Sequence, residues 1–284
     1  MRFALTVVLW LAITAGLAVV VPATWLQKNV INPDGYAALA REAARDPALQ
    51  SAMAGELTTR AMTLIAEHSG GRYTVDGAHV HDVIAAFTAG PAFPPLFAQA
   101  NKAAHSWLFS SPGNNADQWM VDVAPMLSER SVQQMLGNYG VKVPTKLTVP
   151  VAASLPPSLR QGRLSGLATW GPWMSIGAAA TAAFCGLLML LAARRRGKAL
   201  TSVGVAALLV GAAGWAGIEI ATRRINNALN RTATEDIRDV GQVMVRHAEA
   251  SMHQWLNLTL IAGAALVVLG VVVAIVGSVR KGST

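Results

Sequence analysis

The chain has 284 residues, of which 53% are apolar and only 13% charged, and its mean hydropathy is +0.40. That balance excludes an ordinary water-soluble domain and points to a bilayer. A single cysteine, Cys185, excludes a disulfide framework or a Cys-rich metal centre, and the sparse net charge of +8 gives no nucleic-acid footprint.

The first element is a run of 19 residues, 3–21, without a charge. At roughly 1.5 Å per residue it covers nearly one hydrocarbon core, which predicts a membrane-spanning helix. The apolar stretch exceeds the usual h-region of about 7 to 15 residues, so it is expected to stay as an anchor rather than be cleaved near Val21-Pro22-Ala23.

The segment that follows reads as helices punctuated by Pro and Gly. Asp46-Pro47 supplies an N-cap and a first-turn proline, after which Leu49, Met53, Leu57, Ala61, Leu64 and Ile65 share one face until Gly70-Gly71. A second stripe runs through Phe93, Leu96, Phe97, Ala100, Ala104, Trp107 and Leu108, and a third through Trp119, Val123, Met126 and Leu127. Ser131 to Gln134 has the pattern of a capping box. Four prolines between Val143 and Pro157 predict an extended strap returning to the membrane.

Three further apolar runs, 171–193, 199–221 and 255–279, complete four spans. Backbone groups in lipid must be satisfied within each segment, so all four are expected to be α-helical. Between the last two, Thr232 and Glu235 form a second capping-box pattern, and Ile237, Val240, Met244, Ala248, Met252 and Trp255 line one face. The expected fold class is therefore all-α. Its spans are 1–22, 170–193, 199–221 and 255–279, with a helical domain at 23–169 and a helical hairpin at 222–254.

Charge sets the orientation. Arg2, Arg194, Arg195, Arg196, Lys198, Arg280 and Lys281 flank one set of span ends with no acid among them, whereas the remaining chain balances sixteen basic against all fifteen acidic residues. Positive flanks stay in the cytoplasm, and Trp25, Trp170, Trp173 and Trp255 fall at the opposite ends, where an aromatic belt belongs. A multi-pass plasma-membrane protein with both termini cytoplasmic is expected, its helical domain and hairpin extracytoplasmic. The short cytoplasmic segments are too small to fold an ATPase or kinase module.

The chemistry-bearing residues are few. No phosphate-binding Gly-rich loop, HExxH helix or Gly-x-Ser-x-Gly elbow occurs. Glu219 lies four residues before Arg223, a spacing that allows a local pair at headgroup level. His79 and His81 with Asp76 and Asp82 have no compact metal-ligand spacing, and Glu249 with His253 reads as a solvated helix face. Asn101 and His105, one turn apart, and Trp107 beside them are the candidate ligand-binding residues, against the plainer reading of a polar edge that satisfies loop carbonyls. Gly263, Gly270 and Gly277, spaced by seven, form a helix-packing seam whose partner one chain does not reveal. No catalytic residue, metal or cofactor is expected.

Several short stretches carry a resemblance: Tyr36 with Asp46-Pro47-Ala48-Leu49-Gln50, Phe97 to His105 with Asn101, Val121-Asp122-Val123-Ala124-Pro125, and Gly140 to Pro144. With the order of the spans, the chain resembles a set of uncharacterised actinobacterial four-span membrane proteins with an extracytoplasmic helical domain between spans one and two. The resemblance implies that architecture and a bacterial envelope; it implies no activity. The usage of 17 Arg to 6 Lys agrees with a GC-rich genome.

The expected function is non-enzymatic: a cell-envelope protein whose outer helical domain binds a partner protein or assists assembly of a membrane complex. Its partners would be membrane lipids and a membrane or envelope protein or a second copy, with no nucleic acid. The alternative is lipid or envelope-precursor handling, with the apolar stripes enclosing a cavity. A third reading, an extracytoplasmic hydrolase, would rest on His105, His79, His81 and Glu249.

Overall fold

The computed structural model describes residues 2–69, 75–109, 120–150, 165–192, 196–232 and 235–282. Ten α-helices and two short strands account for nearly all of these residues, so the fold is all-α. Among the described residues four helices are long and apolar enough to cross a membrane: Thr6–Ile31, Ala168–Leu191, Gly197–Arg231 and Glu235–Val276. The chain divides into two compact units. One comprises Met1–Gln27, Thr169–Thr222 and Glu249–Thr284, and the other Lys28–Ala168 and Arg223–Ala248.

The first unit holds the apolar lengths of α1 (Arg2–Leu26), α8 (Ser165–Ala192), α9 (Arg196–Thr232) and α10 (Glu235–Gly282). Its inward faces carry small residues. A Cβ at Gly16 of α1 would lie 2.9 Å from Ala182 Cβ of α8, and Leu9, Ile13, Met189 and Ala199 form a small buried cluster. The Trp10 indole N–H donates to the Ser202 carbonyl at 2.9 Å, tying α1 to α9. Large side chains point outward instead: Leu191, Leu258, Ile261 and Val268 are each at least 63% exposed, as lipid-facing positions must be.

The second unit is built around large buried side chains. After a π-helical turn, Gln27–Ile31, Asn32 caps α2 (Pro33–Ala43) by accepting from the N–H groups of Asp34 and Gly35. Asp46 accepts from Ala48 N–H at 2.9 Å at the head of α3 (Pro47–Ser69), and Asp76 caps α4 (Gly77–Thr88). The predicted face of α3 is buried: Leu49, Leu57, Ala61 and Ile65 are fully enclosed. An 85° bend separates α4 from α5 (Phe93–Phe109). Their apolar residues Val80, Ile84, Phe93 and Phe97 are spent on the same core, which draws in Ile237, Val240, Val243 and Met244 from the first turns of α10. Of the predicted hairpin stripe, Ile237, Val240 and Met244 are thus covered within this unit. Gly55 leaves room for Asp236, whose carboxylate would lie 3.0 Å from a Cβ placed there, and Asp46 also meets Arg246 at 3.7 Å.

Four expectations need correction. The third stripe does not form one helix: Met120–Asp122 is strand β1, paired antiparallel with β2 (Thr148–Pro150), and only Ala124–Leu127 is helical (α6). The cause is Asp122, whose carboxylate accepts from both Ala124 and Leu147 N–H groups and so locks the ribbon to the helix start. The predicted strap is therefore partly a strand, which buries Val149; Trp119, Pro156 and Pro157 lie outside the described residues. The cap of α7 (Arg130–Asn138) is Glu129 rather than Ser131. Ser131 gives its N–H and hydroxyl to the Glu129 carboxylate, which holds that carboxyl below the usual range. Finally, α9 runs through Thr232, so Thr232 ends a helix rather than opening one.

Candidate functional site

The seam residues are placed first by backbone proximity. Gly263 and Gly270 of α10 face α9, where a Cβ on Gly270 would lie 2.6 Å from Thr201 N and one on Gly263 3.0 Å from the Gly204 carbonyl. From the other side, Cβ atoms on Gly197 and Gly204 would lie 2.5 Å from the Gly270 carbonyl and 2.7 Å from that of Gly263. Gly197, Gly204 and Gly211 repeat with the same spacing of seven, so α9 carries the matching half of an antiparallel seam. That half was visible in the sequence as a periodicity but was not identified there. The side chains near Gly277 lie outside the described residues.

Asn101 and His105 turn inward to carbonyl groups. The Asn101 amide donates to the Phe97 carbonyl of its own helix at 2.9 Å. His105, 3% exposed, donates from Nε2 to the Val30 carbonyl at 2.6 Å. A carbonyl only accepts, so Nε2 carries a proton. Local structure explains why Val30 needs this donor. The N–H groups of Asp34 and Gly35, which would serve the last carbonyls of the π turn, are already taken by the Asn32 side chain. Gly35 is required at the same corner, because a Cβ there would overlap the Lys28 carbonyl at 1.8 Å.

The His105 ring lies between Tyr36 and Phe109, with centroids at 4.8 and 4.5 Å, and its buried Nδ1 has no hydrogen-bond partner among the described residues. Burial lowers the imidazole pKa below its usual value, against the raising effect of the Val30 carbonyl. Burial also pushes Tyr36 up to about 12. A Lys102–Asp34 ion pair closes the same α2–α5 contact. The arrangement secures the π turn to α5, and burial favours the uncharged imidazole. The side chain of Trp107 lies outside the described residues.

The other candidates are dispersed. Asp76 is occupied as a helix cap, and His81 Nδ1 lies 3.3 Å from the Thr58 hydroxyl. Among the described residues no group of three or more His, Cys, Asp or Glu could hold a metal ion. His253 stacks on Trp215 with centroids 3.7 Å apart and rings nearly parallel, a contact between α9 and α10 that spacing within one segment does not reveal.

One surface of the second unit forms an open groove of about 530 Å³, lined by Arg41, Arg45, Gln50, Pro91, Pro94 and Pro95. Arg41 and Arg45 stand one turn apart at the end of α2, opposite the rigid Gly90-Pro91 corner and the prolines that open α5. Arg45 reaches Glu42 at 2.7 Å across an exposed surface, a pair of small energetic weight.

These features define a class: an all-α, multi-pass membrane protein carrying a separate helical unit with its own core. No protein-family model, curated protein or solved structure matches the chain.

Proposed function

We propose that the protein is a non-enzymatic component of the cell envelope whose helical unit docks a partner protein and helps assemble a membrane complex. The observation that carries this reading is the Arg41/Arg45 groove. Guanidinium groups pair with carboxylates bidentately, and a proline-lined wall loses little conformational freedom on binding, so the groove suits an extended acidic segment. The apolar stripes of the unit pack into a dry core, which favours protein docking over lipid handling by this part of the chain.

The charge asymmetry of the flanks and the positions of Trp25, Trp170, Trp173 and Trp255 support an orientation with 23–169 and 222–254 outside the cytoplasm and both termini inside. The resemblance to actinobacterial four-span proteins supports the same plasma-membrane reading. A reporter fused after Gln161 should then be active only outside the cell, and activity confined to the cytoplasm would overturn the orientation.

The docking is tested by cross-linking in intact cells followed by purification in mild detergent. A constant envelope protein should be captured by the wild-type chain and lost in Arg41→Glu/Arg45→Glu, with thermal stability unchanged. A lone monodisperse monomer, or capture unaffected by the charge reversal, would refute it.

A further inference from the structure

In the second unit the first turns of α10 lie against α3 and are held at two places. At one, an oxygen of the Asp46 carboxylate accepts from the Ala48 N–H, and the other meets Arg246 Nη2 at 3.7 Å and His247 Nε2 at 4.0 Å. At the other, Gly55 leaves its missing side chain's space to Asp236: a Cβ there would lie 3.0 and 3.1 Å from the two carboxylate oxygens. Position 46 thus meets 246 and position 55 meets 236, so the helices run side by side in opposite directions. Between the two contacts Ile237, Val240, Val243 and Met244 enter the core.

The two contacts differ in kind. Arginine keeps its charge throughout the range in which a protein stays folded, so Asp46–Arg246 is a fixed pin. His247 adds an attraction to Asp46 only when its ring is protonated. Asp236, by contrast, faces acids. Glu56, the neighbour of Gly55 on α3, is 5% exposed, and together with Glu235 and Asp239 of α10 it repels a charge on Asp236. The nearby cations are engaged elsewhere, Arg60 with Glu56 at 2.7 Å and Arg238 with Asp239 at 3.8 Å. From α9, joined to α10 by the Gln242–Asn230 bond, Arg231 stands in the last turn.

The free N–H groups at a helix start favour a carboxylate, and an acid there in open water would stay ionised. Burial, with the like charges of Glu56, Glu235 and Asp239, instead holds the Asp236 carboxyl above its usual range. Glu235, Asp236, Arg238 and Asp239 crowd the first turns of α10, well before its apolar length begins near position 255, so this end lies outside the hydrocarbon and water titrates it. Among the described residues no three such groups converge to hold a metal ion, which leaves a proton to relieve the repulsion.

We infer that the contact between α3 and the head of α10 is an acid-tightened latch, pinned at Asp46–Arg246 and closing at its other end when Asp236 takes up a proton and no longer repels Glu56. A carboxyl whose folded pKa lies above its unfolded value, 3.8, contributes its full stabilisation below that value and loses it as pH rises through the folded one. Protonation of His247 acts in the same direction. His105 acts with the opposite sign on the α2–α5 contact, so the latch is read locally rather than from a melt of the whole unit.

The test is amide hydrogen exchange of the full chain in detergent micelles, corrected for the intrinsic rate at each pH. Protection over 236–245 should rise several-fold on going from neutral pH toward the unfolded value of Asp236, while α4 shows no such gain. Asp236→Asn, uncharged at every pH, should already be protected at neutral pH to the level that the wild type reaches only in acid, and should lose most of the rise. Glu56→Gln should shrink the rise while leaving Asp236 in place. Protection that stays level or falls on acidification, or a rise undiminished in either variant, would overturn the latch. Should a variant fail to fold, the wild-type comparison of 236–245 with α4 decides alone.

Discussion

Between α9 and α10 the helices meet backbone to backbone at Gly197, Gly204, Gly263 and Gly270, while the largest apolar side chains of the spans point away from the bundle. In the second unit the order is reversed: Phe93, Leu49, Leu57, Ile65 and Ile84 fill the interior. The physical reason is the solvent. In water, burying a large apolar side chain is what drives packing, whereas in lipid that side chain is equally content outside and only closer contact rewards association. One chain uses both devices, close backbone contact where its long apolar helices meet and large buried side chains in the second unit.

That contrast makes opposite mutations harmful in the two units. Removing a large side chain should matter most in the second: Phe93→Ala, which leaves a cavity against Phe87 and Phe97, should cost about 3–5 kcal/mol in chemical denaturation. Adding a side chain should matter most in the first. Gly270→Val forces apart Thr201 and the Gly197 carbonyl and should lower stability by about 1–3 kcal/mol or more, read as loss of a disulfide cross-link engineered between α9 and α10. If Gly270→Val were silent and Phe93→Ala harmless, the division of packing devices would be wrong.

A smaller effect separates the units by pH. The folded pKa of His105 is depressed, so the neutral form is favoured and its stabilisation is complete above the unfolded value, about 6.5. As pH falls below that value the unfolded chain takes up the proton first, and the second unit should lose stability down to the folded pKa. His105→Gln, which can still donate to Val30, should flatten that slope in melts between pH 7.5 and 5. A comparable cost, about 1 kcal/mol, is expected for Asp76→Ala, which removes the α4 cap. The smallest effect belongs to the lipid face: Val268→Ala should change stability by no more than about 0.5 kcal/mol.

Some of the candidate site was legible beforehand because it rests on short-range rules. Asn101 and His105 share a helix face by spacing alone; His105 reaches the Val30 carbonyl of the π turn, whereas Asn101 bonds the Phe97 carbonyl of its own helix rather than a loop carbonyl. That Val30 would need a donor was not legible, since it follows from Asn32 taking two N–H groups and from a π turn that no periodicity marks. The Arg41/Arg45 groove was equally hidden, because its far wall, Pro91 to Pro95, is about fifty residues away in the chain.

Length, hydropathy and helical period, all properties of neighbouring residues, determined four spans, an all-α class and the inward face of α3. Tertiary structure decided what those faces meet: that Gly263 and Gly270 find the glycines of α9, that β1 finds β2 and shortens a predicted helix, and that Asp236 finds Gly55 of α3. Periodicity fixes which side of a helix must be covered, but the cover comes from residues distant in the chain, and their distances are set only when the whole is packed.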